Sequence, residues 1–349
     1  MGTSDKIHIA VVGAGLIGKR HIEVIQSLEN VELDSIVDPT AAALKIALSL
    51  DVPHYETVAD LLESRRPDGI IIATPNQLHV EHGLQCINKG IPILIEKPLA
   101  TSSDDAEQLV TKAEDSGVPV LVGHHRRHNP LIQRAKKEIE SGGIGPVVAV
   151  NAQCWFYKPD EYYEVEWRTK AGAGPVFINL IHDIDLLRYL CGEIESVIAV
   201  TSNRTRHLEV EDTAAIVLQF RSGALGTVSV SDTIVAPWSW EMTSRENPVY
   251  PPTNEACYRI GGTEGAISIP QNIIWHYANQ RSWWLPIRER AIEQDSCGDP
   301  LVLQINHFVR VIRGTESPLV SGREGLMTLR VIEAINRSAV SERRARIEQ

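Results

Sequence analysis

Gly13-Ala14-Gly15-Leu16-Ile17-Gly18 stands directly after an apolar run, Ile7–Val12, and opens a helical pattern. In such a G-x-G-x-x-G the first glycine permits a tight turn and the second lets the backbone approach a pyrophosphate. The third allows close packing of helix on strand, and the helix N-terminus faces the anion. Asp38 follows Gly18 by 20 residues, at the end of a second apolar run, Val31–Val37. A carboxylate at that place accepts hydrogen bonds from an adenine-ribose diol. It also repels a 2′-phosphate, and no arginine occupies the four positions after it. NAD is therefore expected over NADP.

A second set lies past the middle of the chain. Asn179, His182 and Asp185 are spaced i, i+3 and i+6, so on a helix they share one broad face that can offer hydrogen bonds to a polyol. Ile184, Leu187 and Cys191 form a neighbouring apolar stripe that would anchor it. A polar-faced helix with a satisfied histidine fits the same spacing. Tyr157, Lys158, Tyr162 and Tyr163 could wall a sugar pocket, or pack in the core or a loop. His124, His125 and His128 lack regular ligand spacing and a nearby carboxylate, so no metal is expected. Trp238, Trp240, Trp283 and Trp284 are assigned no chemistry; they could cover a sheet or an interface.

Positioning these groups requires particular elements. Strands are read at Ile7–Val12, Val31–Val37, 68–74, 91–95 and 118–122, and helices at 17–28, Ala41–Leu50, 78–88 and 104–115. Pro39 suits a helix's first turn, and Thr57 with Asp60 reads as an N-cap followed by an acid. Such alternation implies a doubly wound parallel sheet, the fold in which a glycine-rich turn meets a dinucleotide. From about residue 123 the rhythm changes. Helical patterns at 131–140, 177–190, 301–312 and 324–340 mix with strands at Val147–Trp155, 196–203, 214–220, 225–232 and 257–260. The turn pairs Ser222-Gly223 and Gly261-Gly262 imply antiparallel neighbours. The expectation is α/β: a dinucleotide-binding domain over 1–123 and an α+β domain with a large open, mainly antiparallel sheet over 124–349. Residues 237–253, with four prolines and no clear period, read as a long loop.

Glu96-Lys97-Pro98 and Thr74-Pro75-Asn76-x-x-His79, each after a strand, resemble together with the fingerprint the glucose–fructose oxidoreductase / inositol dehydrogenase (Gfo/Idh/MocA) family. Gly123–Arg127 and 174–190 are similar to its second-domain signatures. The resemblance covers essentially the whole chain. It implies a Rossmann domain carrying NAD(P), with Thr74, Pro75, Asn76, His79 and Glu96 beside the cofactor, and a second domain that closes the substrate cleft. Lys97 matches the lysine between nicotinamide and substrate, and a lysine so placed can accept a hydroxyl proton as hydride leaves. Pro98 matches a proline often preceded by a cis peptide. His182 matches the histidine of the family's D-x-G-x-H-x-x-D pattern and Asp185 its last acid, while Ile178 and Leu180 stand where Asp and Gly are usual. The family also implies Arg127 and His125 near substrate and a Trp167-Arg168 pair near the nicotinamide.

The implied activity is NAD-dependent oxidation of a secondary alcohol of a sugar, cyclitol or related polyol or sugar acid. Alternatives on the same fold are a redox-neutral NAD-dependent glycosidase, a dihydrodiol dehydrogenase and a non-catalytic NAD-binding sugar sensor. Retention of Lys97 and His182 argues against the sensor. The family's habit, and the need to cover an open sheet, imply a homodimer or homotetramer. With 34 basic against 45 acidic residues the formal net charge is -11, which argues against nucleic acid or an anionic membrane as partner. Five scattered cysteines (Cys86, Cys154, Cys191, Cys257, Cys297) suit reduced thiols, and the polar first six residues show no secretory signal. A cytoplasmic location is expected.

Overall fold

The computed structural model of the chain describes residues 6–170, 172–292 and 298–348. The polar start and Cys297 lie outside the described residues. From the N-terminus the elements are β1 (Ile7–Val12), α1 (Leu16–Ser27), β2 (Val31–Val37), α2 (Ala41–Leu50), β3 (His54–Tyr55) and α3 (Val58–Ser64). β4 (Gly69–Ile72), α4 (His79–Asn88), β5 (Ile93–Ile95), α5 (Ser103–Ser116) and β6 (Val120–Val122) follow. The strands form one parallel sheet in the order β3-β2-β1-β4-β5-β6. β4, β5 and β6 are buried throughout, as strands covered on both faces must be. Side-chain caps start the helices where polar residues precede an apolar period. Thr40 accepts from Ala43 N–H, Thr57 from Asp60 N–H and Ser102 from Asp105 N–H. The two-residue β3 carries too little pattern to be read from sequence.

Next come α6 (Pro130–Glu140), β7 (Val147–Trp155), α7 (Pro175–Ile178), α8 (Leu180–Cys191), β8 (Ile194–Ser202), β9 (Thr213–Phe220), β10 (Leu225–Ser231) and α9 (Trp240–Thr243). β11 (Tyr258–Gly262), β12 (Gly265–Ile269), β13 (Ile273–His276), β14 (Arg288–Ala291), α10 (Pro300–Ile312), α11 (Gly322–Ser341) and β15 (Ala345–Arg346) complete the described elements. The second sheet has nine strands, ordered β14-β13-β12-β11-β7-β10-β9-β8-β15. The sheet is mainly antiparallel, as expected: its neighbours are antiparallel except for β7 and β10, which run parallel. The chain between them carries two helices and the β8–β9 hairpin, long enough for a crossover. The loop expected at 237–253 contains α9, capped by Ser239, and Trp240 is buried and stacked on Tyr258.

By contacts the chain divides into two units. The first is the chain up to His125 with residues 300–329, and the second is 126–299 with 330 onward. This differs from a single boundary at residue 123. Ile305, Phe308, Val309 and Val311 of α10 belong to the core that holds Ile9, Val11, Ile36 and Ile71. Gly69 explains the fit, since an added Cβ would stand 2.6 Å from Ile312 Cδ1. The division falls inside α11.

Candidate active site

In the first unit a cavity of about 800 Å³ opens where β1, β2 and β4 end, with Gly13, Gly15, Asp38, Thr74 and Pro75 among its lining residues. This is the switch point of the strand order, where open α/β sheets bind ligands. The three glycines do different things. Gly13 has φ +91°, and an added Cβ would meet Ala73 O at 2.6 Å. At Gly18 the Cβ would meet Gly13 O at 1.9 Å, whereas at Gly15 it would meet nothing within 4 Å. Gly13 and Gly18 therefore close the turn on the protein, and Gly15, the N-cap of α1, leaves it open. Leu16 is almost fully exposed and Ile17 half-buried in the first turn of that helix.

Asp38 is partly committed to the fold. Its Oδ2 accepts Ala14 N–H at 2.8 Å, and its Oδ1 accepts Thr40 N–H at 2.9 Å and the Thr40 hydroxyl at 2.6 Å. Partial burial would raise its pKa, but these hydrogen bonds, with His54 nearby, hold the carboxyl below its ordinary value. An ionised carboxylate has about four lone-pair sites, so Oδ2 keeps an acceptor site. Glu56, Glu81 and His82 also line the cavity, and the sequence reading missed all three. Glu81 and His82 follow Thr74-Pro75 closely on α4, with His82 Nδ1 3.3 Å from the Thr74 hydroxyl, and Glu56 precedes α3; only the fold brings these two segments to the cavity beside Asp38.

At the end of β5, Glu96 and Lys97 precede a cis Lys97–Pro98 peptide. Lys97 is half-buried. Glu96 is buried, and its Oε1 accepts a 2.7 Å hydrogen bond from Nε2 of fully buried His21. His79, expected beside the cofactor, is fully buried, with Nδ1 2.8 Å from Pro98 O and Nε2 2.9 Å from Thr74 O. Burial keeps its pKa below the ordinary imidazole value despite both carbonyls. His79 thus joins the loops that carry Thr74-Pro75 and Lys97-Pro98. Asn76 is half-buried in a 3-10 turn, Asn76–Leu78. His125, also half-buried, bears electrostatically on Glu96.

The second unit treats its expected ligand-binding residues differently. Arg127 and Asp185 are each other's partner, Nε to Oδ2 at 2.8 Å and Nη2 to Oδ1 at 2.7 Å, and both are buried. Both were expected near substrate; in this structure a charge this buried needs a matching one, and each supplies the other's. The helix expected at 177–190 is interrupted at Asn179, which is the N-cap of α8. α8 is buried on nearly every side, not only along Ile184, Leu187 and Cys191. His182 is among its buried residues, while Asn179 is half-buried. Next to His182, Asp183 receives the Tyr258 hydroxyl and faces Arg126, which bonds Glu241 at 2.6 Å. Burial, helped by Glu241 and opposed by Arg126, raises the Asp183 pKa to about 6.

A separate cavity of about 410 Å³ in this unit is lined by Tyr157, Asp160, Tyr163 and Arg206 among others. Arg168 lies 4.2 Å over the Tyr162 ring and donates to Tyr162 O at 2.9 Å, beside exposed Trp167. Lys158 is buried over the other Tyr162 contact, Nζ 4.8 Å from the ring centroid. Among the described residues no group of three His, Cys, Asp or Glu converges as a metal site. Cys86, Cys154, Cys191 and Cys257 are free and buried.

A glycine-rich turn opening on a switch-point cavity, with a carboxylate at the end of β2, defines a dinucleotide-binding Rossmann protein. The chain belongs to the Gfo/Idh/MocA family of oxidoreductases. Residues 7–124 match its NAD-binding Rossmann fold and residues 132–268 its C-terminal domain. It is 27% identical to a scyllo-inositol 2-dehydrogenase (NAD(+)) of Bacillus subtilis, over 93% of this chain and 92% of that protein. It is 24% identical to the rhizopine catabolism protein MocA of Rhizobium meliloti, over 94% of each. The crystal structure of the WlbA dehydrogenase of Bordetella pertussis with NADH and UDP-GlcNAcA is 29% identical, with a TM-score of 0.79 over 99% of both chains.

Proposed function

We propose that the protein is an NAD-dependent dehydrogenase that oxidises a secondary alcohol of a sugar, cyclitol or related polyol or sugar acid. The observation that carries this is the gathering of Gly13, Gly15, Asp38 and Thr74 on one cavity. Gly15 and the start of α1 would receive the pyrophosphate, and the open acceptor site of Asp38 an adenine-ribose hydroxyl. Three acidic groups in the lining, Asp38, Glu56 and Glu81, favour NAD over NADP. The chemistry NAD supplies when bound is acceptance of a hydride at its nicotinamide. Lys97 takes the proton of the substrate hydroxyl, and the His182 imidazole orients that oxygen and relays protons, so both act as catalytic residues. Asn179 and Tyr157 serve as further contacts to hydroxyl groups, and Trp167-Arg168 as cover for the nicotinamide. The test is a panel of polyols, sugars, sugar acids and dihydrodiols with NAD. Steady NADH accumulation is expected with at least one polyol-class substrate; turnover without it would mean redox-neutral chemistry, and NAD binding without turnover a sensor.

The open face of the nine-stranded sheet supports self-association. Ile198 and Val217 pair across it, and Trp275 shares the row of Ala266, Gly261, Ala149 and Leu225. Ile198, Val217, Leu225 and Trp275 are exposed, and uncovered apolar patches of this kind mark interaction sites. A homodimer or homotetramer through this face is the proposed state. Sedimentation showing only monomer at micromolar concentration would refute it. The free buried thiols fit a reducing compartment, the cytoplasm.

A further inference from the structure

Glu96 lies next to the proposed base but is held from elsewhere. Oε1 accepts the Nε2–H of His21, which sits one turn beyond Gly18 on α1. Oε2 accepts the backbone N–H of Lys97 at 3.2 Å. Gly123, just after β6, closes the remaining side, since an added Cβ there would stand 2.7 Å from Oε2. Burial alone would raise the Glu96 pKa. The hydrogen bond and charge of His21, with His125 and Lys97, bring it below the ordinary carboxyl value. The carboxylate is therefore ionised and accepts only, so the proton of the 2.7 Å bond resides on Nε2. The titratable groups that bear on Glu96 are His21 from α1, His79 from α4, Lys97 beside it and His125 from the turn after β6.

We propose that His21 is a positioning residue that acts through Glu96: by taking up part of the carboxylate's charge it sets the pH at which Lys97 accepts the substrate proton. The inference rests on the reading of Lys97 as base. In the step itself the hydroxyl O–H bond breaks and an N–H bond forms at Nζ, and His21 keeps its proton. Deprived of His21, a buried carboxylate that stays ionised leans more on Lys97 beside it, and so holds the Lys97 ammonium to higher pH. An opposite charge within about 4–6 Å shifts a pKa by roughly 1–3 units. His21 thus offsets an acid that the strand end would otherwise leave facing the base.

The experiment compares wild type, Glu96→Gln and His21→Phe by two readouts. Competitive labelling of Lys97 with acetic anhydride across pH, read by peptide mass spectrometry, follows the amine in the free protein. The pH profile of kcat/KM follows the reaction. Glu96→Gln, which keeps the side chain's shape, should move the labelling midpoint down by about one unit, and His21→Phe should move it up by about one. The rising limb of kcat/KM should move with each. Labelling midpoints unmoved in folded Glu96→Gln would overturn the inference, whether or not His21→Phe folds. Midpoints that move while the kcat/KM limb stays fixed would instead overturn Lys97 as base, and the inference with it.

Discussion

Asp38 in the first unit and Arg127 with Asp185 in the second are held in opposite ways. In the first unit the groups assigned to chemistry stay partly accessible: Asp38 keeps an acceptor site on the cavity, the turn is open at Gly15, and Lys97, outside the cavity lining, is half-buried. In the second unit the strongest polar motif, Arg127 with Asp185, is closed on itself and buried. Chemistry requires a group whose partner is exchanged during the reaction, and stability requires one whose partner never leaves. A buried, bidentate Arg–Asp pair serves the second purpose, because separating it strands two charges in low dielectric. Residue type alone does not distinguish the two uses.

The sharpest way to break this comparison is a pair of substitutions with opposite signatures. Lys97→Met should lower turnover by roughly 10²–10⁴, the usual worth of a positioned acid–base group, with the denaturation midpoint nearly unchanged. Near-normal turnover with chemistry shown to limit the rate would make Lys97 structural. His182→Ala should also lower turnover, and the double mutant should lose less than the product of the single losses if both act in one step. Arg127→Met should do the reverse and cost about 3–5 kcal/mol of stability in denaturant titration, because it removes the buried guanidinium that bonds both oxygens of Asp185. A stable Arg127→Met protein with a raised KM would return Arg127 to the ligand and dissolve the contrast.

Asp38→Ser sharpens the comparison on the cavity side. It removes a charged acceptor worth about 1.5–3 kcal/mol, so the NAD over NADP preference should narrow by roughly 10–100-fold. Glu56 and Glu81 in the lining should keep it from reversing. Wild type that binds NADP as well as NAD would refute this. A smaller effect concerns pH. The Asp183 pKa is about 6 in the folded chain against an ordinary 3.8. Between those values the folded state holds a proton that the unfolded state has lost, so this group's contribution is present below pH about 4 and fades as pH rises to about 6. Asp183→Asn should flatten that segment of the stability profile; an unchanged slope would place its cause elsewhere. Asp38 has the opposite sign, since its lowered pKa favours the fold above the carboxylate range and the benefit is lost on acidification.

What the sequence determined by itself is everything that depends on neighbours along the chain. The five strands of the first sheet other than β3 are visible as apolar runs. Thr57, standing three residues before Asp60, is a cap because both ends of that hydrogen bond lie within one turn. Gly13, Gly15 and Gly18 are legible for the same reason: the turn they make closes on residues next to them and on one adjacent strand end. Glu96-Lys97-Pro98 could be located as a site because a strand end is a local event. Tertiary structure alone decided who each side chain meets. The same spacing that put Asn179, His182 and Asp185 on one helical face could not say that α8 is buried nearly all round, or that Asp185 is 58 residues from its arginine. His21 carries no motif that names Glu96, 75 residues away. Periodicity reports which way a side chain points within its own element. Its partner, and with it whether a charge is held fast or left available, is set by packing between elements far apart in sequence.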